Sequence, residues 1–178
     1  VTDSVPDLVE LARQCIHAEE ALVEGETVAY GQDEKPLPFQ DLNVKARDII
    51  TKKSIENAIM VLMATAGSTN AVIHLLALAK QADVDLPLER FDELSRKTPY
   101  ITDVKPTGNF ENSAVDIHYA GGIPAVMKEI ESLLNLDVMT VTGKTLKENI
   151  AKAQVKDRRI IRPINKPLTR DGGIAILR

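Results

Sequence analysis

The chain has 178 residues, 44% of them hydrophobic and 27% charged, with 22 Lys+Arg against 26 Asp+Glu for a formal net charge of -4. That length and balance suit one ordinary globular domain and exclude a disordered or fibrous chain. The negative balance argues against a nucleic-acid partner, no apolar run reaches the roughly 20 residues that span a bilayer, and no secretory leader is visible at the start.

Residues 1–25 are expected to form a helix. Ser4 caps it, Pro6 suits its first turn, and Leu8, Leu11, Ala12, Cys15, Ile16 and Leu22 recur at helical spacing up to Gly25. Residues 26–46, with Gly31, Asp33, Pro36 and Pro38, are expected to be a connector. A second helix is predicted from Thr51, with Ile55, Ile59, Leu62 and Met63 inward, and Met60 also in the core. It stops at Gly67, and a third follows to about Ala82 on the stripe Val72, Leu75, Leu76 and Ala79. A short fourth helix is placed at residues 87–96, capped by Asp85, with Phe91 and Leu94 inward.

Residues 100–104 alternate like a strand, and Pro106-Thr107-Gly108 is a turn signal. A fifth helix begins near Pro124 and carries Val126, Met127, Ile130, Leu133 and Leu134. Residues 138–141 are expected to be a strand and Thr142-Gly143 a turn. Thr145 with Glu148 makes a capping box for a last helix to about Ala153. Residues 160–161 and 174–177 are read as strands. The charged run Lys156-Asp157-Arg158-Arg159 is read as a solvated turn. An apolar run at the end and no Met at the start lead to the expectation of a segment of a longer protein.

Chemistry-bearing residues are sparse. Cys15 is the single cysteine, so no internal disulfide and no cysteine cage can close, and it is expected to be a buried thiol. His17, His74 and His118 lack metal-ligand spacing, and His74 is expected to be a satisfied core histidine.

Two motifs remain. In Ala66-Gly67-Ser68-Thr69-Asn70, Gly67 is expected to supply a conformation other residues avoid. Ser68, Thr69 and Asn70 then open a helix, either as a carboxylate or phosphate site or as a cap serving only the fold. In Asp116-Ile117-His118, an extended chain places Asp116 and His118 on one face, as an acid–base pair or as a plain side-chain pairing. Gly121-Gly122 is a weak anion-cradle signal.

Several segments in order resemble the dihydroxy-acid and 6-phosphogluconate dehydratase family. They are Arg47-Asp48-Ile49-Ile50-Thr51, Glu56-Asn57-Ala58, Ala66-Gly67-Ser68-Thr69-Asn70-Ala71-Val72-Ile73-His74-Leu75-Leu76 and Leu94-Ser95-Arg96-Lys97-Thr98-Pro99. Lys105-Pro106-Thr107-Gly108, Asp116-Ile117-His118-Tyr119-Ala120-Gly121-Gly122-Ile123-Pro124 and Val141-Thr142-Gly143-Lys144-Thr145-Leu146 continue the series. Ile161-Arg162-Pro163 and Gly172-Gly173-Ile174-Ala175-Ile176-Leu177-Arg178 complete it, from Arg47 to Arg178.

The resemblance implies a helix-rich α/β fold, part of the family's N-terminal domain with the start of the passage to its C-terminal barrel. The divisions are then an N-terminal helix 1–25, a connector 26–46, a helix-rich core 47–155 and the start of that passage at 156–178. It implies a hydro-lyase turning a 2,3-dihydroxy acid into a 2-keto acid in branched-chain amino-acid biosynthesis. The alternatives are a sugar-acid (aldonate or 6-phosphogluconate) dehydratase and a non-catalytic anion-binding or structural module.

The family uses an iron–sulfur cluster and magnesium, whose ligands, with the serine base, match no position of this chain. No catalytic or metal residue is therefore assigned, and the segment alone is expected to be inactive. Ser68, Thr69, Asn70 and His118 are the candidate substrate contacts. The implied whole protein is a cytoplasmic homodimer (or one of an organellar stroma or matrix), with no membrane or nucleic-acid partner.

Overall fold

The computed structural model describes residues 28–30, 36–38, 45–108 and 111–176. The chain divides into two compact units, Val1–Val44 and Lys45–Arg178. The helix expected over residues 1–25, with Cys15 and His17, lies outside the described residues.

In the first unit, β1 (Val28–Tyr30) and β2 (Pro36–Pro38) pair antiparallel, with Ala29 opposite Leu37. The predicted connector thus contains a two-stranded pairing. Its prolines conceal it in the sequence, because proline reads as a strand breaker and is tolerated only at an edge.

The second unit is helical. Its elements are α1 (Ala46–Ile49), α2 (Lys52–Thr65), α3 (Asn70–Gln81), α4 (Glu89–Ser95), α5 (Ala114–Tyr119), α6 (Gly122–Glu129) and α7 (Leu146–Ile150), with a 3-10 turn at Glu131–Leu133. Among the described residues, no helix is long and apolar enough to cross a membrane.

α2 starts as its sequence demands: the Thr51 hydroxyl accepts the Ser54 N–H at 3.2 Å and the Ser54 hydroxyl accepts the Thr51 N–H at 2.8 Å. Ile59, Met63 and Ala64 on its inward face are fully buried, and they meet Phe91, Ile101, Val126, Ile130 and Ile161 in one core. Met60 is in that core too, whereas Met127 is only partly buried beside it.

The end of α2 differs from expectation. The left-handed residue is Ala66 (φ 46, ψ 46), not Gly67. Alanine accepts that conformation because a strap formed by residues 171–174 holds this turn from outside. The Gly173 N–H bonds the Met63 carbonyl at 2.9 Å, the Gly172 N–H bonds the Ser95 carbonyl at 2.8 Å, and the buried Ser95 hydroxyl donates to the Ile174 carbonyl at 2.6 Å. Residues 174–176 do not form the expected strand: the Ile174 carbonyl accepts the Ser95 hydroxyl, and residue 177 lies outside the described residues.

α3 buries Val72 and Ala79 and half-buries Leu75 and Leu76, as its stripe predicts. His74 is exposed, which corrects its expected place in the core: it falls on the outward face with Ile73 and Leu78. α4 begins at Glu89 without a side-chain cap, so Asp85 does not cap it.

The predicted strand at residues 100–104 is only two single bridges, Tyr100 to Thr169 and Thr102 to Ile161. Successive N–H groups go to different partners. Tyr100 bonds the Thr169 carbonyl, Ile101 the Ala64 carbonyl at the end of α2, and Asp103 the Ile160 carbonyl. No neighbour runs alongside long enough to form a ladder. Residues 138–141 likewise keep one bridge, Met139 to Thr145. α7 keeps its predicted cap, with the Glu148 carboxylate accepting from the Thr145 N–H at 2.8 Å.

Burial pushes the Tyr100 phenol, whose hydroxyl has no hydrogen-bond partner among the described residues, above its ordinary value, and the Asp103 charge adds to the rise. The folded chain therefore holds this proton more tightly than the unfolded chain. The contribution to stability is complete below the unfolded pKa of about 10 and is lost as pH rises through the higher folded value. Urea midpoints are expected to fall above about pH 10 in the parent and to fall less in Tyr100→Phe. Equal slopes in the two would assign the alkaline loss to another group.

Candidate functional site

The turn between α2 and α3 presents Ser68, Thr69 and Asn70, all exposed. The Ser68 hydroxyl accepts the Asn70 N–H at 3.3 Å, while the Ser68 and Thr69 carbonyls start the helix by accepting from Ala71 and Val72 at 3.0 and 3.1 Å. Thr69 makes no side-chain cap bond. The arrangement leaves hydroxyl and amide groups at the positive end of a twelve-residue helix, where a carboxylate is favoured.

His118 lies elsewhere, on α5, exposed and edge-on to the Tyr119 ring at 5.5 Å and 71°. The expected Asp116–His118 pair does not form. The segment is helical rather than extended, so residues two apart point to different sides. Asp116 instead accepts from the Ser113 N–H at 2.6 Å and the Ser113 hydroxyl at 2.8 Å. Those bonds, the backbone one foremost, hold its carboxyl below the usual range. The signal that marks this helix is Ser113-x-x-Asp116, a capping pattern.

Gly121 (φ 123) and Gly122 (φ 72) do open α6. A Cβ on Gly121 would lie 2.4 Å from the Gln154 carbonyl oxygen, so that glycine lets another backbone approach and does not face an open anion cradle.

A cleft of about 810 Å³ lies between α5 and the segment that follows α7. Asp116 and Tyr119 line one side; Lys156, Arg158, Arg159 and Arg162 line the other, with Lys166 and Asp103 also contributing. Ser68, Thr69, Asn70 and His118 are not among its lining residues.

The cleft's arginines are fixed by carboxylates. Arg162 pairs with Asp103 at 3.1 Å, Arg159 pairs with Asp157 at 2.7 Å, and Arg158 pairs with Glu129. Glu129 also accepts the Ile164 N–H at 2.9 Å, which fastens this segment to α6. In the charged run at residues 156–159, Lys156, Arg158 and Arg159 are exposed, as expected of a turn, while Asp157 is half-buried, and the run forms a cleft wall as well. Sequence reasoning missed the cleft because its two sides lie about 40 positions apart in the chain.

Among the described residues, no group of three or more His, Cys, Asp or Glu is placed to hold a metal ion. The described part of the chain therefore does not fit the iron–sulfur cluster or the magnesium that the resemblance implies, and no step is assigned through them.

Residues 10–149 match the family described as dihydroxy-acid/6-phosphogluconate dehydratase N-terminal. The dihydroxy-acid dehydratase of Ignicoccus hospitalis is 52% identical over 132 residues, covering 73% of this chain and 24% of that protein. That of Leptothrix cholodnii is 49% identical over 140 residues, covering 76% and 25%. That of Albidiferax ferrireducens is 44% identical over 173 residues, covering 89% and 30%. The chain spans about a quarter of the length of the curated relatives it matches.

Proposed function

The chain belongs to the dihydroxy-acid/6-phosphogluconate dehydratase family, and from that membership we propose that it supplies part of a hydro-lyase that converts a 2,3-dihydroxy acid into a 2-keto acid. The observation that carries the reading is the identity of 44–52% to relatives named dihydroxy-acid dehydratase. It favours a dihydroxy acid over a sugar acid, and the substrate we propose is a branched-chain dihydroxy acid. In the reaction a C–H bond at C2 and the C–O bond at C3 break, water leaves, and the enol becomes the ketone.

The cluster and magnesium that the resemblance implies would supply Lewis acidity in the whole enzyme. In this proposal their ligands come from parts of the longer enzyme that this chain does not include. The chain's own contribution is a rigid helical core that presents Ser68, Thr69 and Asn70 toward a substrate carboxylate, as positioning groups at the start of α3. The proposed whole enzyme is a cytoplasmic or organellar homodimer.

The test is a chimera in which residues 45–178 replace the matching segment of the Ignicoccus hospitalis enzyme, assayed with 2,3-dihydroxyisovalerate. The chimera is expected to form the keto acid, and the 178-residue chain alone is not. Asn70→Ala in the chimera is expected to lower kcat/KM about tenfold, roughly 1.4 kcal/mol of transition-state stabilisation. An inactive but folded chimera would remove the proposal, and unchanged kinetics in Asn70→Ala would leave α3's first turn a purely structural cap.

A further inference from the structure

We propose that the cleft between α5 and the segment after α7 is a binding site for a small dianion, a phosphate or a paired carboxylate, independent of the dehydration reading. The charges of the lining differ in how far they are already engaged.

Its carboxylates are taken up inside the protein. Asp103 is paired with Arg162 and Asp157 with Arg159, Asp116 accepts the Ser113 N–H and hydroxyl through one oxygen, and Glu111 has a partner as well. The cations are not used up. Lys156 and Lys166 have no ion pair among the described residues.

The arginines are pinned but not saturated. A guanidinium carries five N–H donors. Arg162 gives one to Asp103, and Arg158 gives one to Glu129. The carboxylates hold these planar groups in place, so an incoming anion meets donors that are already ordered.

The space fits the ligand class. A cleft of about 810 Å³ is within the range of small-molecule sites. Tyr119, 71% exposed, lines it and offers a flat face to the organic part of such a molecule. Among the described residues, no group of three or more His, Cys, Asp or Glu is placed there to hold a metal cation.

The test is titration of the isotope-labelled 178-residue chain, at constant ionic strength, with inorganic phosphate and separately with malonate, followed by amide NMR. Saturable shifts are expected at residues 156–162 and 116–120. Affinity is expected to fall about tenfold in Lys156→Ala/Lys166→Ala and to stay unchanged in Lys147→Ala, an exposed lysine on α7 outside the cleft. Lys166→Gln alone serves if the double variant loses its native spectrum. It is expected to weaken binding about threefold. Tighter binding of phosphate would assign a phosphoryl ligand, and tighter binding of malonate a dicarboxylate. Shifts that never saturate, that sodium chloride reproduces, or that persist undiminished in the lysine variants would overturn the proposal.

Discussion

Gly173→Ala is expected to cost about 3 kcal/mol or more, the upper end for forcing extra atoms into a packed interior. An added Cβ would lie 2.1 Å from the Ala66 Cβ and 2.5 Å from its Cα. Backbone and a side chain with no freedom to rotate away block the space, so relief requires the strap to lift. Lifting breaks the bonds from Gly173 to Met63 and from Gly172 to Ser95, and it releases the left-handed turn at Ala66. Gly122→Ala is the control. Its Cβ would meet nothing nearer than 3.4 Å, so only the strain of its φ of +72° remains, about 1–2 kcal/mol. Urea denaturation measures both, and a Gly173→Ala midpoint at or above that of Gly122→Ala would show that the strap does not clamp the end of α2.

Asn57→Asp is expected to be nearly as damaging, about 3 kcal/mol at neutral pH. Asn57 is buried on α2, where its amide is used from both ends. Its Nδ2 donates to the Asn135 carbonyl at 2.8 Å, and its Oδ1 accepts the Asn135 N–H at 2.8 Å. Aspartate keeps the acceptor, loses the donor and sets a charged oxygen against a carbonyl oxygen. The new carboxyl's folded pKa then rises above its unfolded value of about 4. With that sign, the deficit relative to the parent at the same pH shrinks as pH falls through the raised value. Denaturation of both proteins at neutral and acidic pH checks it, and a deficit that does not change with pH would mean that the introduced charge is not its cause.

The sequence alone determined the helices of the second unit where local signals agree. α2 has its Thr51 and Ser54 cap and a regular apolar face, and α7 has Thr145 with Glu148; both appear close to where their patterns place them. Helix capping and 3.6-residue periodicity involve neighbours within a few positions, so the information is local. The family was legible as well, because ordered motifs from Arg47 onward carry it and the match to residues 10–149 agrees.

Tertiary structure decided the rest. Residues 100–103 alternate like a strand, yet their N–H groups are shared among three distant segments. Ala66 takes the left-handed turn that glycine would be expected to take, because the strap from residues 171–174 holds it. The candidate polar groups divided in the same way. Ser68, Thr69 and Asn70 were legible as a helix start. The Asp116–His118 pairing failed because a helix turns successive side chains by 100°, and the cleft's cations came together only once residues 156–166 were fastened to α6 through Glu129. Local sequence fixes which hydrogen bonds a segment can make with itself, whereas its remaining donors and acceptors go to whichever distant segment the core brings near.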